Sequence, residues 1–145
     1  MGGIVLLIGR IVFSFFFIYS GFNHLTKLST YAQYAGASGV PAPTLLTAVS
    51  GVMLLAGGLS ILLGIKARWG ALLIAVFLVT AAFTVHKFWG IADPMMAGNQ
   101  AAQFWKNISV TGACLMFYGL ATLNPTLWPY SLDRESTSSA TGTLG

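Results

Sequence analysis

Four long stretches almost free of charge, separated by short polar breaks, set the pattern of this chain. Ile4–Leu25 carries one charged residue, Arg10. Thr44–Ile65 carries none. Trp69–Trp89 carries Lys87 alone, with His86 beside it. Ile108–Leu123 carries none, and its apolar character reaches back to Phe104. About 20 mostly apolar residues cross the hydrocarbon core of a bilayer as a helix. Lipid offers the backbone no hydrogen-bond partner, so each such stretch must satisfy its own peptide groups by staying helical. The pattern predicts an all-α integral membrane four-helix bundle, antiparallel, with spans over about 4–25, 44–65, 69–89 and 104–123.

The breaks differ in kind. Thr26–Pro43 is long and ends in Gly39-Val40-Pro41-Ala42-Pro43, where glycine and two prolines stop any helix. Gly64-Ile65-Lys66-Ala67-Arg68 reads as a tight turn with Gly64 as the helix C-cap. Gly90–Lys106, with Asp93-Pro94, Gly98 and Asn99-Gln100, reads as a polar loop. The chain is thus one domain over 1–134, followed by a polar Ser/Thr-rich tail over 135–145 with too little apolar surface to fold alone.

Orientation follows from the basic residues. Four spans put both termini and the second break on one side, with Arg10, Lys66, Arg68 and Arg134. Lys27, Lys87 and Lys106 fall on the other. The compact Lys66/Arg68 pair tips the balance, because short loops count most. Both termini are therefore expected in the cytoplasm. Arg10 followed by Ile11–Tyr19 has the look of a signal peptide, but no small-residue cleavage motif follows. It reads as an uncleaved first span.

Composition agrees with this class. Hydrophobic residues make up 56% and charged residues 7%, against roughly 25% charged in soluble domains. The net charge of +4 is spread singly over span ends. It is the pattern of interfacial anchors and gives no sign of nucleic-acid binding. The single cysteine, Cys114, lies mid-span and reads as a packing residue, so the chain holds no dithiol pair. Small residues at helical spacing predict close helix contacts through Ala56, Ser60 and Gly64, Ala71 and Ala75, and Ser109 and Ala113.

Polar side chains concentrate where spans one, three and four meet the outer face. Asn23 and His24 close the first, His86, Lys87 and Trp89 close the third, and Trp105, Lys106 and Asn107 open the fourth. The only two histidines are expected at one membrane depth on different helices. Donors beside aromatic walls suit a quinone head group, with His86, Trp89, Trp105, Asn107, His24 and Asn23 as its candidate contacts. A haem or metal held by His24 and His86 is a weaker alternative, since no further His or Cys stands near. The same residue types are also ordinary interfacial anchors, with polar tips reaching water.

Arg10 lies inside the first span. It is expected either to snorkel to the cytoplasmic face or to form an ion pair with Asp133 or Glu135. No catalytic residue is assigned. There is no G-x-S-x-G, P-loop or H-E-x-x-H, and no acid lies in a span, which argues against a proton pump.

Ser20-Gly21, Gly39-Val40-Pro41, Gly57-Gly58 and Leu63-Gly64-Ile65-Lys66-Ala67-Arg68, in that order, resemble the DoxX family. So do His86-x-Phe88-Trp89, Phe104-Trp105-Lys106-Asn107-Ile108-Ser109 and Tyr130-Ser131-Leu132-Asp133-Arg134. The resemblance runs from about Arg10 to Arg134. Asn124-Pro125 stands where many relatives have Gly-Pro. The resemblance implies a four-helix bacterial inner-membrane protein, similar to the membrane subunit of a thiosulfate:quinone oxidoreductase. By analogy, His86, Trp89, Lys106 and Asn107 take a quinone-side or partner-contact role. The expected function is a redox-linked accessory subunit of an electron-transfer or respiratory complex, working with other membrane subunits in the lipid bilayer. It is not expected to be catalytic alone. The alternatives are a purely structural assembly subunit and a small-molecule permease.

Overall fold

The computed structural model describes residues 1–123 and 131–132. Five helices make up the fold: α1 (Gly2–Thr26), α2 (Leu28–Ala37), α3 (Pro43–Leu63), α4 (Ala67–Thr84) and α5 (Pro94–Leu123). No strand occurs among the described residues, as the hydropathy pattern predicts. By length and composition α1, α3 and α4 can cross a membrane. The fourth expected span is not among them. α5 is the longest helix, with 30 residues, but Asn99, Gln100, Gln103, Lys106 and Asn107 make its first half polar.

Neighbouring long helices run antiparallel. Arg10 of α1 reaches the C-terminal end of α3, and Gly21 and His24 reach its N-terminal half. Gly57 of α3 faces Gly70 of α4. Trp69 lies 6.2 Å from Tyr118 and Phe83 lies 5.2 Å from Phe104, so α5 runs against α4. Phe13 meets Phe117 at 5.2 Å and brings α1 to α5. Phe17, Leu54, Ile61, Ile74, Leu78 and Cys114 fill the core between these helices. The outward surface is apolar. Phe15 is 70% exposed and Met116 68%. Soluble monomers rarely carry such continuous apolar patches, whereas lipid-facing helices do.

Close approach depends on glycine, and only part of the expected stripe takes part: Ser60 faces Gly70, where an added Cβ would stand 2.7 Å from the Ser60 Cβ. A Cβ at Gly57 would stand 2.9 Å from the Gly70 carbonyl oxygen, and one at Gly70 would stand 2.8 Å from that of Gly57. Ala71 and Ala75 are buried as expected, but Ala56 and Ser109 are exposed. A four-residue repeat marks a stripe without saying which way it points.

Three further expectations are corrected. The first break is not all loop. α2 fills Leu28–Ala37, ending well before Pro41 and Pro43, which stop only the chain beyond it. Gly90–Lys106 is mostly helix. Asp93 Oδ1 accepts from the Met96 N–H at 2.7 Å, and Pro94 takes the first helical position, an N-terminus signal that the sequence carries in plain form. Arg10 does not snorkel, being 1% exposed. Its Nε donates to the Ile61 carbonyl at 3.0 Å and one terminal nitrogen to that of Leu62 at 2.7 Å. These carbonyls lie in the last turn of α3, where intrahelical donors run out; the Ile61 carbonyl also accepts from the Gly64 N–H at 3.3 Å. Gly64, at φ 71°, is the C-cap the sequence predicts. The Ile65 N–H returns to the Ser60 carbonyl at 3.0 Å, and Arg10 serves carbonyls next to that bond. A cation at a helix C-terminus also meets the negative end of the helix dipole. The proposed Arg10–Asp133 pair, Glu135, Arg134, Asn124-Pro125 and the 134/135 domain boundary lie outside the described residues.

Candidate outer-end site

α1 and α4 each run against α3, so they run parallel to each other, and both histidines stand at the same end of the molecule. Each is held by its Nδ1 atom. His24, in the last turn of α1, has Nδ1 2.8 Å from Ser50 Oγ on α3. The Ser50 hydroxyl in turn donates to the Thr47 carbonyl at 2.7 Å. The His24 ring lies 4.5 Å from Tyr31 and 6.0 Å, edge-on, from Phe77. His86, just beyond α4, has Nδ1 2.9 Å from Gln100 Oε1 on α5. Gln100 Nε2 donates to the Tyr34 hydroxyl at 3.1 Å.

α2 is what joins these two groups. Tyr31 and Tyr34 are three residues apart and share a helix face. One meets His24 directly, and the other reaches His86 through Gln100. The break that frees α2 from α1 lies at Lys27, whose backbone leaves the helical region at φ −113° and ψ 39°.

An aromatic wall stands beside His86. Phe104 is buried at its centre, with Phe83 at 5.2 Å, Phe88 at 5.5 Å, Trp89 at 6.0 Å and Trp105 at 5.2 Å. Most of these rings meet edge to face, the arrangement the ring quadrupole favours. Trp89 and Trp105 are about half exposed. They lie where an interfacial ring would contact either lipid headgroups or a ligand.

The other expected contacts are placed differently. Asn23 is buried, but its Nδ2 donates to the Tyr19 carbonyl of its own helix at 2.9 Å. Lys106 is exposed and donates to Gln103 on its own helix. Asn107 is buried on α5, three residues beyond Phe104, and no described hydrogen bond joins it to either histidine. Among the described residues no three His, Cys, Asp or Glu side chains gather as metal ligands. Two imidazoles are offered, not a closed ligand set.

Ser50, Gln100, Tyr31 and Tyr34 are the members of this network that sequence reasoning leaves out. Only the Tyr31/Tyr34 spacing signals a shared face. Ser50 looks like any small residue in an apolar span.

The DoxX family model matches residues 5–87. Inner membrane protein YphA of Escherichia coli (strain K12) is 32% identical over 132 residues, covering 91% of this chain and 90% of the relative. Inner membrane protein YqjF of the same organism is 32% identical over 128 residues, covering 88% of each. No solved structure gives a significant match.

Proposed function

The chain belongs to the DoxX family and is a multi-pass protein of the bacterial inner membrane; on that premise we propose that it is a redox-linked accessory subunit of a membrane electron-transfer complex, binding a quinone at its outer end. In this reading α1, α3, α4 and the apolar half of α5 are four antiparallel spans. Both termini and the Lys66/Arg68 turn lie in the cytoplasm, in keeping with the positive-inside rule.

One observation carries the reading. Two imidazoles stand at one end of the molecule, one against Tyr31 and the other linked through Gln100 to Tyr34 of α2, and five aromatic rings cluster around Phe104 in the segments next to His86 and Gln100, at the end that this orientation turns outward. A ring-shaped amphiphile needs just such a mixture, a few fixed polar atoms with apolar walls. His86, Trp89 and Trp105 are its nearest contacts. His24 and Asn107 are further candidate contacts, while Asn23 donates within its own helix.

The site supports binding and orientation. Among the described residues no acid lies in the network and no second cysteine joins Cys114, so electron and thiol chemistry belongs to a partner subunit. The test is the quinone content of protein extracted in mild detergent. Wild-type protein is expected to carry extractable quinone, and His86→Ala to lose most of it while remaining folded. Quinone-free wild-type protein, with partner subunits still attached, would instead support a purely structural role in assembly.

A further inference from the structure

We propose that α2 is a hinged flap over His24, latched by the hydrogen bond between Gln100 and Tyr34, and that releasing this bond swings α2 off the bundle. The motion needs no ligand. The further step, that the flap controls entry to the outer-end site, rests on the function proposed above.

α2 is held lightly. Its ten residues are too few for a helix to be stable alone in water, so packing must hold it. Yet Ala32, 6% exposed, is its one buried residue. An open groove of about 540 Å³, lined by Leu28, Ala32, Gly36 and Pro43 among others, runs between α2 and the start of α3. Elements with few buried apolar contacts are the first to open.

α2 is also self-contained. The N–H groups of Ser38, Gly39 and Val40 return to carbonyls of its last turn, and the Ser38 hydroxyl donates to the Tyr34 carbonyl at 3.1 Å. The helix can therefore move as a unit without stranding backbone donors. Each end has a pivot. One is the break at Lys27, and the other is Gly39 at φ 83°. Beyond Gly39, Ala42 sits at φ 44°. Alanine rarely adopts that conformation, so the connection stores strain that a swing would relax.

Two side-chain contacts hold the flap down. The Tyr31 ring lies over His24 with centroids 4.5 Å apart. The Tyr34 hydroxyl accepts from Gln100 Nε2 at 3.1 Å. Among the described residues this is the one side-chain hydrogen bond from α2 to another helix. Lys87 Nζ stands beside Gly39, 3.9 Å from where a Cβ would be, and makes no described hydrogen bond. When α2 swings, His24 loses its Tyr31 cover but keeps Ser50, which belongs to α3.

Two measurements on the full chain in lipid nanodiscs test the flap without a quinone. In a Cys114→Ala background, Ala32→Cys puts a thiol on the buried side of α2. Its labelling by a maleimide follows the fraction of time the flap is open. Tyr34→Phe keeps the ring and removes the latch. Loss of one hydrogen bond is expected to speed labelling about fivefold. Thr30→Ala, exposed on the same helix, is expected to leave the rate unchanged. An unchanged rate for Tyr34→Phe, or an equal gain for Thr30→Ala, overturns the proposal. The second measurement is the 15N histidine spectrum of protein with no added cysteine. Tyr34 makes no described contact with His24, so a purely local role leaves the His24 signals in place. The flap requires Tyr34→Phe to shift them as the Tyr31 ring moves away, and unmoved signals overturn it. Entry is tested last. Tyr34→Phe is expected to speed exchange of a bound short-chain quinone about fivefold. Unchanged exchange overturns control of entry. Failure of the wild-type chain to bind any quinone overturns the function proposed above and leaves the flap standing.

Discussion

Arg10 shows how one side chain can be read correctly as unusual while partners within the helices go unforeseen. Its position six residues into an apolar run says that it must find partners. Water and an acid are the obvious ones. The structure supplies the carbonyl ends of α3, which the antiparallel packing brings alongside. Arg10→Met would remove the Arg10 donor from the Leu62 carbonyl and leave the Ile61 carbonyl with the Gly64 N–H at 3.3 Å. The expected cost is about 1–3 kcal/mol, seen as a lower midpoint of thermal unfolding in detergent. Arg10→Lys should recover only part of it, because a single ammonium cannot reproduce the guanidinium fork. An unchanged midpoint for Arg10→Met would show that this contact contributes nothing.

For the elements, the informative contrast is between glycines that touch and glycines that do not. Gly57 and Gly70 hold α3 and α4 at backbone distance, whereas a Cβ at Gly112 on α5 would meet nothing within 4 Å. Gly57→Leu is therefore expected to abolish or strongly reduce recovery of monodisperse protein. Gly112→Leu should be recovered like wild type, its side chain lying in lipid. Similar losses for both would mean that the α5 face is itself packed, against a partner. α5 also shows where local chemistry was legible and overlooked. Asp93-Pro94 is a helix start by capping alone, hidden by the polar residues that follow. Asp93→Ala should cost about 1 kcal/mol through loss of the cap, measurable as earlier melting.

The molecule as a whole is testable by orientation. In a Cys114→Ala background, a membrane-impermeant thiol reagent applied from outside is expected to label Asn99→Cys and to spare Lys66→Cys until the membrane is permeabilised. The reverse pattern would turn the His24/His86 end toward the cytoplasm and remove the outer-face role. At this scale the sequence spoke clearly. Long uncharged runs leave a chain few places to be, and the glycine turn at Gly64 fixes one reversal. The candidate site was half legible. His24, His86, Trp89 and Trp105 announce themselves, since few polar or aromatic residues stand at span ends. Ser50 and Gln100 do not, because their roles come from what α2 and α3 place opposite them.

The hydropathy of the chain, by itself, determined an all-helical membrane protein, since apolar segments in lipid must close their own hydrogen bonds. It also located most helix ends, because glycine, proline and capping residues act over a few positions. Only tertiary packing decided which glycines touch, that Arg10 caps a helix fifty residues away in sequence, and which nitrogen of each histidine is held. Those depend on which faces meet and in what register, and a helical repeat leaves that choice open.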